Sequence, residues 1–277
     1  MTFTPDAVRR IADLLAEAAR AEILPRFNRL QAEEVRTKSS AVDLVTDADE
    51  AAERVIGAQL SAWYPDALII GEEAATRNPA LLDRLGDAPL AFVIDPVDGT
   101  RNFVAGLPAF GVMAAAIVHG DIVAGIIHDP IGRNTCLGIR DGGAWIEFDG
   151  SASRRLAVAP PDEVSKMEAV AAVGFLTEPM RTRVACRLAR FRSTTSLRCA
   201  AQEYRLAITG DCHVLMYNKL MPWDHAAGWL LHREAGGYSA HYDGTPYRPT
   251  QRSGGLLFAP DEASWRAVRD AVLGDGA

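Results

Sequence analysis

Apolar residues along this chain keep two rhythms, one of helices and one of strands. Behind Thr4-Pro5-Asp6, an opening that suits a helix start, Val8, Ile11, Leu14, Leu15 and Ala18 recur at helical spacing and predict a helix running to about Phe27. A second helix is predicted over 47–63, with Ala51, Val55, Ile56 and Leu60 as its inner face and Thr46 or Asp47 as its N-cap. Short apolar runs at 67–70 and 92–94 predict buried strands. The runs 111–119, 122–128, 134–139 and 144–148, joined at His119-Gly120-Asp121 and Asp141-Gly142-Gly143, predict a meander and hence a largely antiparallel sheet. The turn-rich segment 149–153 is a candidate boundary between an N-terminal half, 1–150, and a C-terminal half, 151–277. Beyond it the pattern predicts strands at 170–173, 213–217, 238–242 and 256–259. Helices are predicted over 178–191, 200–209, 226–235 and 261–273, and 193–199 reads as a hydroxyl-rich loop.

Three of these apolar segments end in carboxylates. The strand at 92–94 breaks into Asp95-Pro96-Val97-Asp98-Gly99-Thr100, in which Pro96 and Gly99 fix a bend between two acids. The strand at 67–70 runs into Gly71-Glu72-Glu73, and Asp224 stands where a strand, a loop and a helix meet. Acids gathered at strand exits repel one another unless a cation lies between them, and hard oxygen ligands on tight turns suit Mg²⁺. The competing reading is ordinary capping: an Asp-Pro turn, an N-cap, a solvated Glu pair. A similar pair of readings applies at Arg198, where the helix start at Ala200 offers either an anion site or a merely capped end.

Composition narrows the field. The 277 residues, 48% hydrophobic and 23% charged, suit a globular α/β protein with ample core. A net charge of −7 gives no support to a nucleic-acid or anionic-membrane surface. Cys136, Cys186, Cys199 and Cys212 form no CxxC pair and read as reduced, mostly buried thiols of a cytoplasmic protein. The N-terminus has no signal-peptide pattern, no run of about 18 apolar residues predicts a membrane span, and neither a Gly-x-Gly-x-x-Gly nor a Gly-Lys-Ser/Thr loop is present.

Taken together, Asp43-Leu-Val-Thr-Asp-Ala-Asp49, Gly71-Glu-Glu73, Asp95-Pro-Val-Asp-Gly-Thr-Arg-Asn-Phe103 and Trp223-Asp224 with Gly236-Gly237 resemble the inositol monophosphatase family over nearly the whole chain. The resemblance implies a layered α-β-α-β-α sugar-phosphatase-type fold of the α/β (α+β) class, with a largely antiparallel N-terminal sheet and a smaller C-terminal α/β half. It implies a lithium-sensitive, usually dimeric phosphomonoesterase that uses two or three Mg²⁺ ions. By position, Glu72, Asp95 and the Val97 carbonyl would hold one ion, and Asp95, Asp98 and Asp224 another. Thr100 and Asp49 would orient the attacking water with support from Thr46, and a third ion would use Glu72. Gly99 and Thr100 would offer N–H groups to the phosphate, while Lys38, Arg198, Ala200 and Asn218 fall on the substrate side.

The chain departs from the family pattern in two places. Arg198-Cys199-Ala200 replaces a small Gly-Ser/Thr-Ala run, and Met216-Tyr217-Asn218-Lys219 lacks the glutamate of inositol-specific members. Arg198 and Lys219 are therefore candidates to meet a second anionic group. The expected activity is hydrolysis of a small phosphomonoester. The same chemistry on fructose 1,6-bisphosphate, 3′-phosphoadenosine 5′-phosphate or histidinol phosphate is an alternative, as is a regulatory metal-binding scaffold.

Overall fold

The structure, a computed structural model, describes residues 3–37, 44–148 and 153–274. Lys38 and Asp43 lie outside the described residues. The first helix, α1 (Pro5–Ala18), is capped by the Thr4 hydroxyl accepting from the Ala7 N–H, and it passes into a wider π-helical turn at Ala19–Ile23. The ribbon of β1 (Val35–Thr37) and β2 (Leu44–Thr46) follows and leads straight into α2 (Asp47–Trp63).

The main sheet is built from β3 (Leu68–Gly71), β4 (Ala91–Asp98), β5 (Gly111–Val118), β6 (Asp121–Asp129), β7 (Asn134–Ile139), β8 (Gly143–Phe148) and β9 (Arg154–Arg155), paired in chain order. Only β3 and β4 run parallel; the other pairs are antiparallel, as the meander predicts. Short helices α3 (Glu72–Arg77), α4 (Ala80–Asp83) and α5 (Thr100–Val104) fill the connections around the two parallel strands. A second sheet orders β11 (Ser193–Thr195), β10 (Glu168–Ala171), β12 (Val214–Tyr217), β14 (Leu256–Ala259) and β13 (Tyr238–His241). Its helices are α6 (Met180–Arg187), α7 (Ala200–Thr209), α8 (Pro222–Glu234) and α9 (Glu262–Val272).

Side-chain alternation along the strands decides the layers. On the main sheet Phe92, Ile94, Val112 and Ala114 face α1 and α2, whereas Val93, Met113 and Ala115 face α7 and α8. Leu215, Tyr217 and Phe258 of the second sheet close on the same middle core, and Val214, Met216 and Leu257 face α6 and α9. The result is the expected α-β-α-β-α stack. One segment differs in kind from its expectation. Residues 193–195, read as loop, form the edge strand β11, because pairing with Glu168–Val170 supplies hydrogen bonds that local pattern does not reveal.

Candidate active site

Two features of the main sheet gather the acids. First, β3 and β4 are parallel, with Gly71 opposite Ile94, so Glu72 and Asp95 leave their strands side by side. Second, β4 carries a bulge: Asp95 pairs with Met113 and Asp98 with Gly111, three steps against two. In a regular strand residues three apart point to opposite faces; the extra residue restores Asp98 to the face of Asp95. Gly99 then turns the chain with φ +87°, and a Cβ there would sit 2.9 Å from the Ala109 carbonyl oxygen. At Gly71 a Cβ would strike the Glu53 carboxylate, which accepts from the N–H groups of Glu73 (2.7 Å) and Ala74 (2.9 Å) and so caps α3. Glu53 escapes sequence reasoning, because nothing local ties a helix-face glutamate to a turn about twenty residues on.

Helix starts supply the rest. Thr46, not Asp47, is the N-cap of α2, and Asp49 returns its carboxylate to the Thr46 N–H (2.9 Å) and hydroxyl (2.5 Å) in a capping box. Asp47 instead pairs with Arg36 at 2.5 Å. Asp49 does more than cap. The Thr100 hydroxyl lies 3.2 Å from its other oxygen, Oδ1, and 3.0 Å from the Val97 carbonyl oxygen. Thr46, Asp49 and Thr100 thus form one chain of hydrogen bonds, with Thr46 and Asp49 fully buried.

Asp98 points at the start of α7, where its Oδ2 accepts from the Ala201 N–H (2.5 Å) and the Cys199 thiol (3.1 Å). This corrects the reading of that helix start as an open anion site: Ala200 and Ala201 face Asp98. Burial pushes the Cys199 thiol far up, so it serves as a donor. Burial also lifts Asp98 to about 6, against the downward pull of those donors. For Asp95 and Asp224 burial, then Glu72 and Asp98, raise the carboxyls well above the usual range, and Lys219 relieves Asp224 only in part. Asp95 and Asp224 stand within hydrogen-bond reach of each other, a contact that needs a shared proton or a cation. The neighbouring His225 is no ligand. Its Nε2 lies 2.8 Å from the Lys219 carbonyl and must donate, so Nδ1 accepts from the Tyr204 hydroxyl at 3.0 Å.

A cavity of about 250 Å³ lies beside these groups, lined by Glu72, Asp98, Thr100, Asp224, Arg198, Lys219 and Phe175 among others. Asn218 lines it too, but its role is corrected. Its amide donates to the Ala172 carbonyl (3.0 Å) and accepts from the Tyr242 hydroxyl (2.7 Å), which ties the side chain into the fold. Glu203, absent from the sequence reading, accepts from the Leu197 (2.8 Å) and Arg198 (3.2 Å) N–H groups and holds the loop before α7.

The donor set tests which group would fit. Glu72, Asp95, Asp98, Asp224 and the Val97 carbonyl are all oxygen donors, mutually repelling and largely withdrawn from water, which matches a hard divalent cation and not zinc. Among the described residues no three acidic, His or Cys side chains are already arranged as ligands about one point. The acids lean on backbone N–H groups and on one another instead.

The profile of the inositol monophosphatase family matches residues 4–272. The chain belongs to the inositol monophosphatase family. Its relatives include the fructose-1,6-bisphosphatase/inositol-1-monophosphatase of Thermotoga maritima, 30% identical and covering 76% of each chain. Nus factor SuhB of Haemophilus influenzae is 32% identical over 81% of this chain and 80% of its own. The structure of extragenic suppressor protein suhB from Bartonella henselae superposes with a TM-score of 0.80 at 26% identity, over 98% of this chain and 100% of that one. Membership makes this chain an enzyme of the phosphoric monoester hydrolase class. Among the described residues no helix is long and apolar enough to cross a membrane.

Proposed function

We infer that the protein hydrolyses a small phosphomonoester with Mg²⁺ as its cofactor. The observation that carries this reading is the gathering of Glu72, Asp98 and Asp224 in one cavity lining, with the buried Asp95 close enough to feel all three charges, beside the Asp49–Thr100 hydrogen bond. Glu72, Asp95 and the Val97 carbonyl would hold one cation, and Asp95, Asp98 and Asp224 a second. Bound there, the cations would acidify a water and offset charge on the leaving oxygen. The chain's own residues do the remaining work. Asp49, fixed through Oδ2 by Thr46, leaves Oδ1 to orient the Thr100 hydroxyl. The Thr100 hydroxyl has one proton and two acceptors in reach, so it can turn to hold an attacking water. Gly99 and Thr100 present the start of α5 to the phosphate, a role that φ +87° at Gly99 makes possible.

Phosphate release from inositol 1-phosphate, with and without Mg²⁺, tests the reading. Activity should depend on Mg²⁺ and fall at least about 100-fold in Asp98→Asn, which keeps the shape but loses the charge. Equal activity in Asp98→Asn would refute the metal assignment. Absence of turnover on any phosphomonoester, in folded protein that binds Mg²⁺, would favour a regulatory role such as the name of the Haemophilus relative suggests.

A further inference from the structure

A second cavity, also of about 250 Å³, shares no lining residue with the first. Ile122 in its wall pairs with Ile117, and Ile117 with Ala91, where β4 begins; the acids gather where β4 ends, at Asp98. The length of that strand, roughly 20 Å, separates the two places. Three arginines from distant segments line this cavity: Arg140 just past β7, Arg233 on α8 and Arg248 between β13 and β14. Among the described residues Asp121 is the one acid in the lining. In a chain of net charge −7 that is a local reversal of sign, and a concavity so charged draws anions.

The arginines are oriented by backbone and rings more than by carboxylates. Arg140 donates through Nε to the Ile122 carbonyl at 2.8 Å, and its contact with Asp121, a mostly exposed side chain, is longer at 3.4 Å. The Arg233 guanidinium lies 5.9 Å from the centre of the Trp229 ring. Its nearest acid is Asp141, 3.1 Å away and 77% exposed. Glu234, 3.8 Å from Arg233, is already engaged by the N–H groups of Asp141 and Gly143. Arg248 is exposed and makes no ion pair with the described residues. Its loop is stiffened by Pro246 and Pro249 and anchored by the buried Tyr247, whose ring lies 5.9 Å from that of Trp229. Exposed ion pairs contribute little, so a ligand can displace them, and arginines already oriented lose less freedom on binding one.

We propose that Arg140, Arg233 and Arg248 form a binding site, separate from the catalytic cavity, for a compact polyanion: a small molecule bearing adjacent phosphate groups. Each guanidinium fork matches phosphate oxygens two at a time, and three forks suit a ligand with more than one phosphate. At roughly 30 Å³ per water the cavity equals about eight waters, enough for two linked phosphates. The site does not depend on the phosphomonoesterase reading, because none of its residues belongs to the catalytic cavity.

Calorimetric titration of the full chain with inorganic pyrophosphate, in EDTA, tests the proposal, since the metal-free acids of the catalytic cavity repel a polyanion. One pyrophosphate should bind per chain, about tenfold or more tighter than orthophosphate, and more weakly as salt rises. Arg248→Ser should weaken binding about tenfold or more, and so should Arg140→Lys, which keeps the charge and loses the fork. Arg198→Ser, in the catalytic cavity, should leave it unchanged. No binding by the parent, equal binding by Arg248→Ser, or a loss in Arg198→Ser instead overturns the site. Equal affinity for orthophosphate and pyrophosphate overturns the ligand class. Circular dichroism checks that each variant is folded; if Arg140→Lys is not, Arg248→Ser, a change at an exposed side chain, decides alone.

Discussion

Single residues here carry more than one constraint, and Gly99 shows how closely the acidic turn is packed. It sits at φ +87°, 2.9 Å from the Ala109 carbonyl and 3.0 Å from the Cys199 Cβ when a Cβ is added. Ala109 is backbone and cannot swing aside, while Cys199 is fixed by its thiol bond to Asp98. Gly99→Ala should therefore destabilise the fold by about 2 kcal/mol, from left-handed strain together with the close contact. It should also cut phosphate release about 100-fold, because Asp98 and Thr100 flank it and a displacement near 1 Å is costly in catalysis. Urea unfolding and initial rates would be measured on the same preparation. A variant as stable and as active as the parent would show that the turn is looser than its contacts indicate.

Elements were legible in the sequence to the extent that their signals are local. Helical spacing in α1, α2 and α9 and the meander from β5 to β8 follow from periodicity and turn residues, and the acids at strand exits stand out against apolar runs. What stayed hidden depends on partners far along the chain. The role of Asn218 is set by Ala172 and Tyr242, that of Glu53 by the N–H groups of α3, and the strand character of 193–195 by β10. The bulge in β4 was hidden too, since spacing alone puts Asp95 and Asp98 on opposite faces. The start of α7 gives an element-scale prediction. Burial first, then Asp98, pushes Glu203 up to about 7 from an ordinary carboxylate value. A raised carboxyl stabilises the fold when protonated, and that contribution is lost as pH rises through about 7. Glu203→Gln cannot ionise yet keeps an oxygen for the Leu197 and Arg198 N–H groups. Relative to the parent it should therefore gain up to about 3 kcal/mol between pH 5 and pH 8, read from urea unfolding. A gap of the same size at both pH values would mean that Glu203 is not the group titrating.

At the scale of the whole molecule, the candidate active site lies where the layers must bring their charged ends together, so pH and, on the proposed function, metal should act on its stability jointly. The start of α2 meets β4 from one face of the main sheet through Asp49 and Thr100, and those of α7 and α8 meet it from the other through Ala201 and Asp224. Without a cation, Asp95, Asp98 and Asp224 bind protons more tightly when folded than when unfolded, Asp98 up to about 6. Their contribution is thus present at low pH and lost as pH rises through these raised values. His225 and His232 act with the opposite sign. Burial lowers them to about 4 and about 3, so each subtracts stability as pH falls below the unfolded value near 6.5. The metal-free protein is consequently squeezed from both sides, by histidine protonation in acid and by carboxylate repulsion above pH 6. On the proposed function Mg²⁺ would replace the proton as the neutralising charge, so its stabilisation should be large at pH 8 and small at pH 5. At a hundredfold excess over its dissociation constant the gain is about 2.7 kcal/mol. For a chain of this length that is a rise in Tm on the order of 5–10 °C. Melting curves in Mg²⁺ and in EDTA at both pH values measure it. A shift of equal size at pH 5 and pH 8 would place the ion away from these acids, because only a site shared with titrating protons loses its metal as they return.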